Sequence, residues 1–236
     1  MYCCKYAPAN TELCRDGRVD TVFGTGDGSY YVFKGSKYWK LDWNNVTEGY
    51  PRNIASDWRG LPDNIDAAFT QTDTKKTYFF KGDKYWKFED REPHSGYPKN
   101  ISDDWSGIPN NVDSAFVWSG DGKIYFFKGS SYWKFDEERE WYWKFDEERE
   151  WVISSNASSS NPEPISNWPP GRPSGRPSGL PDGLSAAVKY YGYTYFFHED
   201  EYYRFDDDAF SVAEGYPSFP RKNGRWWFGC GNDSGT

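Results

Sequence analysis

Residues that could carry catalytic chemistry are scarce in this chain of 236 residues. It contains two histidines, His94 and His198, which are too few for a three-histidine zinc site, and it lacks the His-Glu-x-x-His pattern of zinc proteases. The glycine-rich stretch 23–28 is followed by neither a Lys-Ser pair nor a helical pattern, so we interpret it as a turn between strands. The sequence therefore predicts a chain that is not catalytic by itself.

A ring of oxygen ligands is the metal site that the sequence indicates. Four short anchor segments begin at Asp20, Asp66, Asp113 and Ser185, at intervals of 46, 47 and 72 residues. Where such anchors meet around one axis, their backbone carbonyl oxygens are the kind of ligand that calcium accepts. We therefore expect a structural calcium ion held by backbone oxygens. The alternative is that the aspartates only hydrogen-bond to neighbouring backbone.

The elements between these anchors also repeat, which indicates one supersecondary unit per interval. Each anchor is followed by an aromatic strand pattern, a turn such as 81–84 (Lys-Gly-Asp-Lys) and an aromatic return strand such as 85–88 (Tyr-Trp-Lys-Phe). This order predicts a β-hairpin, to which the anchor adds an inner strand. The extended residues before the next proline supply a fourth strand.

A short helix is predicted to close each unit. In the first unit Ile54, Trp58 and Leu61 are spaced i, i+4 and i+7, which is one face of a helix. Pro51 comes just before them, and proline is favoured in the first turn of a helix. We therefore expect the helix to begin at Pro51.

The cysteines indicate how the units are joined. Cys3, Cys4, Cys14 and Cys230 are the four present, and about 215 residues without cysteine separate the last two. That spacing suits a clasp between the two ends of a closed structure, although four cysteines permit three pairings and Cys3 and Cys4 have no evident partner. Four units of four strands, closed end to end, predict an all-β four-bladed propeller, with an open solenoid as the alternative.

The repeated segments resemble the hemopexin repeat, and most of all the C-terminal hemopexin domain of matrix metalloproteinases. The resemblance is carried by the stretches 66–69, 78–88, 96–101 and 105–109 and extends over about residues 14–230. It implies a propeller with short helices between the blades, a disulfide from Cys14 to Cys230, and calcium in the central channel. The boundaries expected from it are a linker or tail at 1–13, blades at about 20–65, 66–112, 113–184 and 185–230, and a tail at 231–236.

A duplicated stretch lengthens the third unit. Residues 141–150 repeat the motif that ends at Glu140, and a doubled Gly-Arg-Pro-Ser follows, giving an insertion at 141–179. A fifth blade is excluded because the second copy has no anchor, hairpin or closing helix of its own. We expect the first copy to form the third strand and the second copy to form the outermost strand or a loop. A recent duplication or an error in gene assembly explains this insertion as well as a function does.

Charge and composition narrow the class of partner. The net charge of −8 disfavours nucleic acid, and no apolar stretch is long enough to span a membrane. The first residues do not read as a signal peptide, but a disulfide clasp requires an oxidising compartment, and four sequons fit a secreted glycoprotein whose true N-terminus is missing. The sequon asparagines are Asn45, Asn100, Asn156 and Asn232.

The resemblance implies a non-catalytic protein-binding (exosite) domain of a secreted or membrane-type matrix metalloproteinase. Its partners would be matrix proteins such as collagen, tissue inhibitors of metalloproteinases, or its own catalytic domain, and zinc would belong only to that missing domain. The alternative is a free-standing carrier that binds haem or a polyamine in the central channel. Haem is disfavoured because His94 lies in a Pro-Gly turn and His198 at a hairpin tip, where neither suits an axial ligand.

Overall fold

Four antiparallel sheets follow one another along the chain in a computed structural model that describes residues 11–42, 45–135, 162–170 and 178–231. The first sheet comprises β1 (Thr21–Gly24), β2 (Tyr30–Lys34), β3 (Lys37–Asp42), β4 (Asn45–Val46) and β5 (Arg52–Asn53). The second comprises β6 (Ala67–Thr70), β7 (Lys76–Lys81), β8 (Lys84–Glu89), β9 (Glu92–Pro93) and β10 (Lys99–Asn100). The third comprises β11 (Ser114–Val117), β12 (Ile124–Lys128), β13 (Ser131–Phe135) and β14 (Glu163–Pro164). The fourth comprises β15 (Ala186–Tyr190), β16 (Tyr193–His198), β17 (Glu201–Asp206), β18 (Ser211–Val212) and β19 (Arg221–Lys222).

The helical elements are short. They are α1 (Thr11–Asp16), α2 (Ile54–Asp57), α3 (Ile101–Asp104), a 3-10 turn (Ile165–Asn167) and α4 (Asn223–Trp227). Helix α1 precedes the first sheet, and each of the others follows the outermost strand of one sheet. We refer to the four sheets, each with the helical turn after it, as blades 1 to 4.

The predicted hairpins are confirmed in all four blades. The second and third strands pair antiparallel, and the residues at the turn face each other, as Lys81 faces Lys84. The first loop residue has a left-handed backbone, with φ of 62° at Gly82 and 51° at Glu199. Glycine adopts this conformation without steric cost, whereas Glu199 adopts it at some cost in blade 4.

The fourth strand of a blade is divided into two short pieces, which corrects the predicted helix start. In blade 1 both β4 and β5 pair with β3, and Arg52 lies opposite Tyr38. The prediction that a helix begins at Pro51 is therefore wrong, since the chain remains extended through Asn53 and α2 begins at Ile54. The helical spacing of the apolar residues reflects a single turn of helix that buries Ile54 and is followed by the buried Trp58.

The four blades close into a ring. Each innermost strand contacts the innermost strand of the next blade, and β15 of blade 4 contacts β1 of blade 1. This closure confirms the all-β four-bladed propeller and removes the solenoid alternative. Radial repetition of this kind leaves only short, protected sheet edges.

Tryptophan side chains join one blade to the next. The ring centre of Trp58 in blade 1 lies 5.3 Å from that of Phe79 in blade 2. The corresponding Trp105 lies 5.6 Å from Phe126 in blade 3, and Trp168 in that blade lies 5.1 Å from Phe196 in blade 4. Edge-to-face pairs of this kind are worth about 0.5–1.5 kcal/mol each beyond the area that they bury.

The two ends of the propeller are joined covalently. Cys14 in α1 and Cys230 after α4 form a disulfide with their Cα atoms 5.6 Å apart, which confirms the predicted clasp. Beside it the buried Asn223 donates from Nδ2 to the carbonyl oxygen of Gly17 at 3.0 Å. Cys3 and Cys4 lie outside the described residues.

The first copy of the duplicated motif is used as expected. Its residues 131–135 form β13, which pairs with β12 on one side and with β14 on the other. The second copy, for which we expected the outermost strand or a loop, lies outside the described residues.

Candidate functional site: the central channel

The four anchors lie together at one end of the central channel. They line a cavity of about 430 Å³ whose walls are the residues that lead into each innermost strand. The predicted metal-binding residues in this cavity are Asp20, Asp66, Asp113 and Ser185. The calcium ion itself stays a prediction.

The carboxylates at this end hold the hairpin turns. Asp20 Oδ2 accepts a hydrogen bond from the Gly35 N–H at 2.7 Å, and Asp66 Oδ2 accepts one from Gly82 at 2.7 Å. Asp113 does the same for the third blade. The aspartates therefore hydrogen-bond to neighbouring backbone, which is the alternative role predicted for them. Because the carboxylates are used in this way, the backbone carbonyl oxygens are the ligands to consider for a cation.

Blade 4 has no such carboxylate. Ser185 Oγ donates to the carbonyl oxygen of Phe197 at 3.3 Å. The first turn residue of this blade, which is a glycine in the other three, is Glu199. His198, beside that turn, places Nδ1 3.0 Å from the carbonyl oxygen of Gly183. Its imidazole therefore lies near the anchor end and contacts the loop that leads into Ser185.

Charges of both signs act on the Asp20 carboxyl at the anchor end. Burial raises its pKa above the ordinary value, the Gly35 N–H and the positive charges of Lys34 and Lys81 oppose this rise, and the negative charge of Asp66 adds to it. Lys81 lines the same cavity and pairs with Asp66, with Nζ 3.1 Å from Oδ1. Within the described ranges no three His, Cys, Asp or Glu side chains are grouped to hold a metal.

The opposite mouth of the channel is a smaller cavity of about 320 Å³. Phe23, Phe69 and Phe116 line it from the innermost strands, and Lys75 and Lys189 contribute positive groups. Its volume is at the lower end of the range for small-molecule sites, and the positive charge of Lys75 in its lining disfavours a cationic polyamine.

Asp207 is a polar link between blades that the sequence did not indicate. This half-buried carboxylate in blade 4 accepts hydrogen bonds from Trp118 Nε1 at 3.2 Å, Ser119 Oγ at 2.8 Å and Lys189 Nζ at 2.6 Å. Burial acts to raise its pKa, but these hydrogen bonds and the charge of Lys189 outweigh burial and lower it. The sequence shows only a run of three aspartates, which is typical of an exposed turn.

The two histidines lie apart from the mouth cavity that could hold a ligand. His94 follows a strand in blade 2, and its Nε2 atom is 3.9 Å from Glu89 Oε2. Burial lowers the pKa of His94, and the charges of Lys87 and Lys76 add to this effect. Neither histidine is among the described residues that line the mouth cavity.

The sequons differ in their surroundings. Asn45 is exposed at the start of β4, whereas the Asn100 side-chain amide donates to Asp103 at 3.0 Å at the start of α3. A glycan on Asn100 would displace that contact, so Asn45 is the better acceptor on geometric grounds. Asn156 and Asn232 lie outside the described residues, and glycosylation stays a prediction.

These features define a closed propeller built from hemopexin-type repeats. The profile of the hemopexin family matches residues 19–63, 65–110 and 112–141, just over half of the chain. The chain therefore belongs to the hemopexin family. The third match ends at Trp141, where the duplicated motif begins.

Local sequence similarity connects the chain with two kinds of extracellular or matrix-associated protein. It is 42% identical to human vitronectin over 68 residues, which cover 26% of this chain and 14% of vitronectin. It is 41% identical to human matrix metalloproteinase-15 over 69 residues, which cover 29% of this chain and 10% of that protein. The matched segments are thus small parts of these relatives.

Solved structures share the fold over nearly the whole chain. A seed albumin, LS24 from Lathyrus sativus, aligns with a TM-score of 0.64 and 19% identity, covering 90% of this chain and 96% of that one. A plant lectin with two metal binding sites from Cicer arietinum aligns with a TM-score of 0.63 and 19% identity, covering 89% and 95%. At this identity the likeness extends to the fold alone. No helix of the described residues is long and apolar enough to cross a membrane.

Proposed function

We propose that this chain is a non-catalytic protein-binding (exosite) domain that belongs to a secreted or membrane-type matrix metalloproteinase. In this role it docks matrix proteins such as collagen, tissue inhibitors of metalloproteinases, or its own catalytic domain. Holding a large substrate beside a catalytic domain raises the effective concentration of that substrate without new chemistry. Zinc then acts only in the catalytic domain.

The observation that carries this proposal is the closed hemopexin propeller combined with local identity to matrix-associated relatives. Its aromatic core is fully engaged within and between blades, as Trp58 and Trp168 illustrate. The parts left for recognition are the blade edges and the loops. Such a rigid disc loses little conformational entropy when it binds a large partner.

A calcium ion in the anchor cavity is part of the same proposal. The anchor backbone would hold it, and it would stiffen the channel end at which the four blades meet. The meeting of the four anchors around one cavity supports this assignment.

The carrier alternative keeps one supporting observation, the mouth cavity of about 320 Å³. Haem or a polyamine would have to enter there. The absence of histidine from its described lining and the presence of Lys75 make it the weaker candidate.

Surface plasmon resonance distinguishes the two functions. The chain is passed over immobilised triple-helical collagen and tissue inhibitors of metalloproteinases, with the seed albumin LS24 as a control of the same fold. Saturable binding by this chain and not by the control supports the docking function. No binding to these proteins, together with a Soret shift on haem titration or saturable binding of spermine, would replace it with the carrier.

A further inference from the structure

The outer face of blade 4 departs from the repeat at the end of its closing helix. In blades 1 and 2 this helix ends on an acid, Asp57 or Asp104. Tyr38 donates to Asp57 Oδ2 at 2.6 Å, and in each blade the basic residue five positions before the helix end neutralises the acid. Arg52 Nη1 is 4.0 Å from Asp57, and Lys99 Nζ is 2.9 Å from Asp104.

Trp226 takes the place of this acid in blade 4, because residues 223–227 align with residues 54–58. Arg221, which corresponds to Arg52, therefore has no carboxylate partner among the described residues. Its guanidinium carbon lies 4.8 Å from the centre of the Trp226 ring and 4.0 Å from that of Phe219. The positive charge is held by aromatic faces and is not neutralised.

Arginines and rings alternate along this face in what we call the arginine ladder. Its members in spatial order are Tyr193, Arg204, Phe219, Arg221, Trp226 and Arg225, with guanidinium-to-ring distances of 4.7, 5.2, 4.0, 4.8 and 5.6 Å. None of the three arginines has an ion-pair partner in the described part of the chain. The neighbouring Lys222 instead holds Asp200 and Glu201, at 2.8 and 3.2 Å.

An exposed tyrosine stands beside the ladder because of a local insertion. In blade 1 one aromatic-proline pair, Tyr50-Pro51, comes before Arg52, whereas in blade 4 two such pairs, Tyr216-Pro217 and Phe219-Pro220, come before Arg221. Phe219 packs over the third strand of blade 4, with its ring centre 5.6 Å from that of Tyr202. Tyr50 packs in the same way in blade 1, with its ring centre 5.4 Å from that of Tyr38.

The displaced tyrosine of this loop, Tyr216, is 99% exposed. Arg221 fixes the loop by donating from Nε and Nη2 to the carbonyl oxygen of Pro217, at 2.9 and 2.6 Å. An aromatic ring is thus presented to solvent on a loop that is already tied down. Tyrosine, tryptophan and arginine are the residue types that contribute most to protein-binding energy.

We propose that the arginine ladder and Tyr216 form a docking surface for a short acidic segment of a partner protein, an inference that rests on the proposed docking function. Three arginines on this face, of which Arg225 is exposed and the other two partly exposed, have no carboxylate partner among the described residues of a chain whose net charge is −8, so an acidic group gains most by binding here. Stacked guanidinium groups keep their planar edges oriented toward a carboxylate. The net negative charge elsewhere repels a long polyanion, so a short peptide fits better than a polysaccharide.

Fluorescence polarisation of labelled peptides tests this surface on the full chain. The acidic probe is a seven-residue peptide of Glu and Asp with a central Phe, and the control probe has Lys in place of each acid. Arg225→Gln and Tyr216→Ala change exposed residues, so they leave the fold intact, as circular dichroism would verify. Arg52→Gln is the control, since it removes the carboxylate-paired arginine of blade 1 that corresponds to Arg221 of the ladder.

The acidic probe is expected to bind the wild-type chain, more weakly at higher salt, and the lysine probe is expected not to bind. Arg225→Gln and Tyr216→Ala should each weaken binding about three- to tenfold, and Arg52→Gln should leave it unchanged. Equal loss in the Arg52→Gln control, no effect of either ladder variant, or binding of heparin in place of the acidic probe would each overturn the proposal.

Collagen and inhibitor binding, measured on the same variants, separates this inference from the function on which it rests. Matrix proteins that bind Arg225→Gln and Tyr216→Ala as well as the wild type would overturn the ladder and leave the docking function standing. Acidic-probe binding that depends on the ladder, without any matrix-protein binding, would support the ladder and count against the proposed matrix partners.

Discussion

Arg91 of blade 2 donates from Nη2 to the hydroxyl oxygen of Tyr31 in blade 1, at 2.8 Å. Its guanidinium carbon also lies 5.7 Å from the centre of the Trp58 ring, which is fully buried. One side chain from the loop between β8 and β9 thus covers the aromatic centre of the preceding blade. The contact stabilises the interface between the two blades by a hydrogen bond and a cation–π interaction.

Replacing this arginine should loosen the interface. Arg91→Leu is expected to lower the free energy of unfolding by about 1–3 kcal/mol, because it removes a charged hydrogen bond and the cation over the ring. Urea unfolding followed by tryptophan fluorescence measures the change. Arg59→Leu, at an exposed arginine of blade 1, serves as the control and should change the value by less than about 0.5 kcal/mol.

Removing the clasp should destabilise the whole ring. Cys14→Ser with Cys230→Ser opens a bridge across 216 positions, and native disulfides of this kind contribute about 2–5 kcal/mol. The double variant should melt at a lower temperature in calorimetry. Dithiothreitol should lower the melting temperature of the wild type toward that of the variant and leave the variant unchanged. A wild type that is insensitive to reductant would contradict this expectation.

Asp207 should contribute a stabilisation that depends on pH. Its pKa is lowered in the folded protein, so folding favours the carboxylate, and this stabilisation is present above its ordinary pKa of 3.8 and lost as the pH falls through the folded value. Asp207→Asn should therefore melt below the wild type at pH 7, with the difference shrinking toward pH 2.5. Asp208→Asn, at the exposed neighbour, is the control. A difference that grows on acidification would contradict the assignment.

Calcium removal tests the anchor cavity. If backbone oxygens hold the ion, calcium should raise the melting temperature of the wild type and a chelator should reverse the rise, by the mass action of a ligand that binds only the folded state. Ser185→Ala should retain the response, since it changes no backbone atom. Asp20→Asn should weaken it, because it removes one of the negative charges that attract the ion. An identical melting temperature with calcium and with chelator would remove the ion from the proposal.

The repeat made most of the fold predictable from sequence. Anchors and hairpins recur along the chain and fix the number of blades, while Cys14 and Cys230, one at each end of the repeats, indicate how the ring is closed. The helix at Pro51 failed because the i, i+4, i+7 spacing cannot distinguish one helical turn after a strand from a longer helix. Local pattern does not reveal that Arg52 pairs across the sheet with Tyr38.

Functional detail was less accessible, because it depends on contacts between blades. Asp207 meets Trp118 across 89 positions, and no local signal marks it. The role of Trp226 depends on the acid that it replaces and on the arginine that this replacement leaves without a carboxylate partner among the described residues. The residues at which one blade departs from the internal repeat therefore indicate function best, and superposition of the four blades identifies them.

The tryptophan that closes one blade rests on rings that belong to the next, as Trp58 does on Phe79 and Trp105 on Phe126. A single blade cut from this molecule would consequently expose a tryptophan ring on one side and phenylalanine rings on the other, each with about 150–250 Å² of apolar surface. Fragments of one or two blades should aggregate or associate with a complementary fragment, and only a chain that contains all four blades should remain a soluble monomer.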